Sequence, residues 1–165
     1  MRVALKIVGG IVVCAVVLLV VLRFTGFEPK LCPTASTLAC KAPGLWLRGD
    51  AVTTPVTDWS FTNQVQTIKV QTESPILLPY SVAAYCAVYN GNLYLTSYPE
   101  RRWVKDLVQD PHGRLKIGDQ LYDRNFVLVT DPAEKEAVLQ AKGKKYPHWK
   151  VPPADTTSVF RVTAG

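Results

Sequence analysis

Histidine is nearly absent from this 165-residue chain: His112 and His148 are the only two, and neither stands at ligand spacing from a cysteine or a carboxylate. The ordinary zinc arrangements are therefore excluded. The chain also lacks Cys-x-x-Cys, Gly-x-Ser-x-Gly, Gly-x-x-x-x-Gly-Lys and Gly-x-Gly-x-x-Gly, so neither an activated nucleophile nor a glycine-rich phosphate cradle has a sequence signature. An excess of one charge is missing as well. The formal net charge of +6 falls to +3 when Arg2, Lys6 and Arg23 are set aside, leaving 16 basic against 13 acidic residues. No basic run interleaves with aromatics along a strand, so no nucleic-acid partner is expected. Lys142, Lys144 and Lys145 cluster where a helix should end, and there a solvated, dipole-complementing role is the plain expectation.

Charge is lacking altogether from Ile7 to Leu22, sixteen apolar residues bounded by Lys6 and Arg23. With Val3 to Leu5 added and Lys6 snorkelling, the run reaches the roughly 20 residues that a bilayer helix needs. A run of sixteen also suits a signal-peptide core. Val20-Val21-Leu22-Arg23-Phe24-Thr25 offers no small-x-small cleavage site, and neither Lys30-Leu31-Cys32 nor Val13-Cys14 makes a lipoprotein signal. The expectation is an uncleaved single-pass anchor over residues 1–24 with a short cytoplasmic N-terminus, set by Arg2 and Lys6 and opposed by Arg23 and Lys30.

Residues 25–43 read as a linker containing Cys32 and Cys40, eight positions apart. A bridge between them would need an oxidising compartment, which in a bacterium means the periplasmic side of the inner membrane; two free thiols are the alternative. Cys86, inside an apolar strand pattern, reads as a buried free thiol.

The globular part, residues 44–165, is long enough for one modest core. Short edge pieces are expected at Leu45–Leu47 and Ala51–Val52, and an alternating strand at Thr67–Thr72. A long strand from Tyr80 to Tyr89 should return through Asn90-Gly91 as Leu93–Thr96, because Asn-Gly between two such runs favours a tight hairpin. Ser97-Tyr98-Pro99-Glu100 fits a capping box opening a helix that stops at Asp110-Pro111. Strands at Arg114–Ile117 and Gln120–Thr130 should turn at Gly118-Asp119. Asp131-Pro132-Ala133-Glu134 opens a second helix, expected to end at Gly143, and Ser158–Val162 is the last strand. The class is α+β: a small antiparallel β-barrel or strongly bent sheet with two inserted helices, preceded by one transmembrane helix.

One junction concentrates groups that bind ligands. Arg101 and Arg102 stand beside Trp103 where a strand passes into a helix. Helix-terminal amides and arginine forks suit phosphate, and an aromatic can cover a flat ring. The alternative is a core-anchoring Trp103 with two solvated arginines, Arg102 pairing locally with Asp106.

The order of elements, with TSYPERRWVKDLVQDP followed by GRLKIGDQLYDRNFVLVTDPAEKEAVLQ and the later Tyr146-Pro147, resembles the flavin-type split β-barrel superfamily. The similarity is nearest to its deazaflavin-dependent nitroreductase-like branch and covers Thr67 to Val162. It implies a barrel that binds FMN or a deazaflavin for redox chemistry, with Ser81, Tyr98, Arg101, Arg102 and Trp103 matching the cofactor-binding positions and no catalytic residue assigned. Barrels of this type commonly form homodimers. The segment Pro79-Tyr80-Ser81-Val82-Ala83 departs from the family's pattern by lacking a basic residue. A cofactor-free barrel serving as an accessory subunit of a larger membrane complex is the alternative.

Overall fold

The computed structural model describes residues 2–30, 42–73 and 78–165, with side chains from Lys6 onward. The expected Cys32–Cys40 pairing lies outside the described residues. Helix α1 spans Arg2–Thr25. Its segment Lys6–Thr25, twenty residues of mean hydropathy 2.9, is long and apolar enough to cross a membrane, and none of it is buried.

The strands that follow are β1 (Asp50–Ala51), β2 (Ile68–Thr72), β3 (Tyr80–Ala84), β4 (Cys86–Tyr89), β5 (Asn92–Ser97), β6 (His112–Ile117), β7 (Gln120–Leu128) and β8 (Ser158–Ala164). Helix α2 (Arg102–Gln109) is inserted after β5, and α3 (Pro132–Lys145) after β7. The strands form one sheet in the order β3-β2-β6-β7-β8-β5-β4. Its two ends are successive halves of one strand, interrupted at Tyr85, so the sheet curls back on itself. Each pairing along this path is antiparallel; β1 adds to β7 in parallel.

Local chemistry accounts for the turns. Asn90 (φ 48°) and Gly91 (φ 75°) both adopt the left-handed conformation that a two-residue hairpin demands, and Gly118 (φ 60°) does so between β6 and β7. Strand β5 is buried on both faces because α3 covers the outside of the barrel. Leu93 and Leu95 point into the interior with Val70, Leu115, Phe126 and Phe160, while Tyr94, between them, packs outward against Val138 and Leu139 of α3. At the start of α3, Asp131 Oδ1 accepts from the Ala133 amide at 3.1 Å, with Pro132 in the first turn.

Several expectations are corrected. The long strand is broken at Tyr85, where the pairing partner changes from β2 to β5. Leu45–Leu47 is not a strand; Gly44 alone bridges Ser81. No capping box opens α2. The chain makes a turn over residues 99–100, Ser97 remains in β5, and Arg101 is the cap residue without a side-chain bond. Pro99 favours such a turn over an immediate helix start. Helix α3 runs through Gly143 to Lys145, because Lys142 and Lys145 are both held against the barrel.

Candidate functional site

Where β5 leaves the sheet for α2, the barrel opens into a cleft of about 430 Å³. Strand β3 supplies one wall through Tyr80 and Val82. The loop and first turn of α2 supply Tyr98, Arg101, Arg102 and Trp103, and α3 contributes Lys142 with Trp149 beyond it. Four of the five residues singled out in the sequence therefore line one cavity. Ser81 does not. Its side chain is fully buried and turned toward Gly44, and its hydroxyl has no hydrogen-bond partner among the described residues.

The four differ in what they offer. Tyr98 is half exposed. Trp103 is 6 % exposed, with its ring 6.0 Å from that of Phe160, so it is a core side chain whose edge reaches the cleft. Arg102 lies over the Tyr80 ring at 4.6 Å, and its Nε is 3.8 Å from Asp106 Oδ2. Asp106 is itself fixed by the Thr72 hydroxyl, which donates to Oδ2 at 3.0 Å. Arg101 is exposed and forms no ion pair among the described residues.

Sequence reasoning missed the opposite wall. Lys142, expected to be solvated, is 4 % exposed. Its ammonium donates to Thr96 Oγ1 of β5 and lies 4.0 Å from the Trp149 ring and 5.7 Å from that of Tyr85. Burial pushes its pKa down to about 8, slightly opposed by the nearby Cys86. A signal was available: Lys142 stands three and four positions after the fully buried Leu139 and Val138, on the same helix face. Three lysines in four residues hid it as an ordinary basic helix end.

Tyr85 also borders a second cavity of about 440 Å³ with Lys145, Tyr146 and His148. There the Tyr146 hydroxyl donates to the carbonyl of Gln66 at 2.7 Å or that of Cys86 at 3.0 Å. Lys145 Nζ donates to the Thr62 carbonyl and lies 3.3 Å from Cys86 Sγ. Cys86 is a fully buried free thiol, and burial raises the Tyr146 pKa. Among residues 6–30, 42–73 and 78–165, no cluster of three metal-ligating side chains occurs.

The first cleft combines cationic and aromatic side chains. Its volume lies in the roughly 300–1,000 Å³ range of small-molecule pockets, with arginines and aromatics both in its lining.

No family model matches the chain, and no curated protein does. Solved structures match in fold. A conserved hypothetical protein from Mycobacterium tuberculosis superposes with a TM-score of 0.56 at 20 % identity, over 71 % of this chain and 84 % of that one. A Listeria innocua protein provisionally named as a pyridoxamine 5′-phosphate oxidase gives 0.52 at 15 % identity, over 63 % and 87 %. A protein named as an F420 reductase gives 0.50 at 15 % identity, over 68 % and 96 %. The likeness at these identities is one of fold, and this chain has the split β-barrel fold of those structures.

Proposed function

We propose that the protein is a membrane-anchored split barrel that binds a flavin-type cofactor, FMN or a deazaflavin, in the cleft beside α2. The observation that carries this reading is the convergence of Arg101, Arg102 and Tyr98 with Tyr85, Trp149 and Lys142 on one cavity of cofactor size. In support, fold neighbours include proteins named as an F420 reductase and, provisionally, as a pyridoxamine 5′-phosphate oxidase.

Arg101, at the start of α2, would bind the phosphate together with the helix amides, and Arg102, braced by Tyr80 and Asp106, would bound that end. Tyr98 would flank the ring, and the buried Trp103 would fix the angle of the helix beneath it. The cofactor supplies the electron or hydride transfer, and the protein supplies position and electrostatics. Helix α1 would hold the barrel at a bacterial inner membrane, on the periplasmic side.

Titration of detergent-solubilised full-length protein with FMN and with F420, followed by quenching of cofactor fluorescence, tests the reading. Saturable binding of one of them, weakened about ten-fold in Arg101→Ala by loss of a charge-assisted contact, is expected. If neither binds, the barrel is a cofactor-free subunit.

A further inference from the structure

Lys142 lines the cleft proposed for the flavin, but that reading gives its buried amine no chemical role. Its ammonium is buried without a counter-ion: no carboxylate among the described residues pairs with it. Its surroundings are the Thr96 hydroxyl from β5, the Tyr85 ring at the strand break, the Trp149 ring and, through space, Cys86 of β4. Burying a charge in this way is costly unless a partner arrives. The same desolvation makes the amine a better nucleophile, since it favours the neutral form.

We propose that Lys142 is a carbonyl-capturing amine, and that the cleft takes a small aromatic aldehyde bearing an anionic substituent. Each part follows from a neighbour. The Trp149 and Tyr85 rings hold a cation by their faces and would equally hold the positively charged imine and a flat ring attached to it. Thr96 Oγ1 touches Nζ and can pass a proton to the departing oxygen. Arg101 lines the same cavity and selects for negative charge.

The step balances without an oxidant or reductant. The neutral Nζ attacks the carbonyl carbon, the C–O bond breaks, and the oxygen leaves as water with both amine protons, leaving a neutral C=N bond whose nitrogen then takes one proton from solvent to become the cationic imine. With a pKa of about 8 instead of 10.5, roughly one Lys142 in ten is neutral at pH 7, about 300 times the fraction of an ordinary lysine. The inference stands on the cleft alone and needs no flavin.

The experiment treats full-length protein in detergent with pyridoxal 5′-phosphate or pyridoxal at pH 7.5, traps imines with cyanoborohydride and maps them by peptide mass spectrometry. Lys142 is expected to be labelled about ten-fold faster than the exposed Lys144 and Lys150. The phosphorylated aldehyde is expected to react faster, and Arg101→Ala to abolish that preference. Labelling of Lys144 and Lys150 ahead of Lys142 in the wild-type protein would overturn the proposal, and equal reaction of both aldehydes would overturn the anionic selectivity. Lys142→Arg should remove the fast phase; the wild-type ratio decides the matter even if that variant fails to fold.

Discussion

Glu28 and Lys116 are 88 residues apart in sequence, yet Lys116 Nζ donates to Glu28 Oε1 at 2.8 Å. The other carboxylate oxygen accepts from Lys69 of the neighbouring strand, and Oε1 also takes the Arg48 amide at 3.0 Å. Three residues after α1, the chain is thus clamped across β2 and β6 and paired backbone to backbone from Phe27 to Trp46. Residues read as linker begin as part of the barrel.

The clamp predicts an acid-labile junction. Burial alone would raise the Glu28 pKa, but the bonds from Lys116, Lys69 and the Arg48 amide outweigh it and hold the value at about 2, against an ordinary 4.5. Because the folded value is the lower one, this stability is fully present above about pH 4.5 and is lost as pH falls toward 2. Glu28→Gln should cost about 1–2 kcal/mol at pH 7, discounted for solvent screening, and much less near pH 2. Urea unfolding at the two pH values measures the difference; an equal cost at both would exclude the ionic clamp.

Lys142 predicts the opposite end of the scale. Its folded pKa of about 8 lies below its ordinary 10.5, so the unfolded chain binds more protons between those values. Its contribution to stability therefore rises with pH from 8 to 10.5 and disappears below 8. The rise should be about 2 kcal/mol in the wild type and absent in Lys142→Met. Parallel pH dependences of the two urea midpoints would show that the ammonium is not desolvated.

Trp103 and Arg101 should separate scaffold from site. Removing the buried indole by Trp103→Ala should cost about 3–5 kcal/mol. Arg101→Ala should leave stability within about 0.5 kcal/mol while altering ligand binding. Paired thermal melts and fluorescence titrations read both effects, and a large loss of stability in Arg101→Ala would place that arginine in the fold and not in the site.

The fold was legible where local chemistry decides it. Asn90-Gly91 demands a hairpin, Asp131-Pro132 demands a helix start, and Leu93, Leu95, Phe126 and Phe160 alternate into one interior. What stayed hidden depends on contacts distant in sequence. The break at Tyr85 follows from the strand meeting β2 on one half and β5 on the other, which no window of ten residues encodes. Lys142 sits opposite Thr96, 46 positions away, so its burial became visible only when α3 packed on the barrel. Ser81 stands between Tyr80 and Val82, which line the cleft, and strand alternation turns it to the other face, against Gly44 far upstream.

The joining of β3 to β4 limits how this barrel can meet another chain. A sheet with two ordinary end strands invites a third to extend it by backbone hydrogen bonds. Here Gly44 already bonds to Ser81 on β3, and β4 lies beneath α3. Among the described residues, a partner strand would therefore meet one end of the sheet already bridged at Ser81 and the other packed against α3.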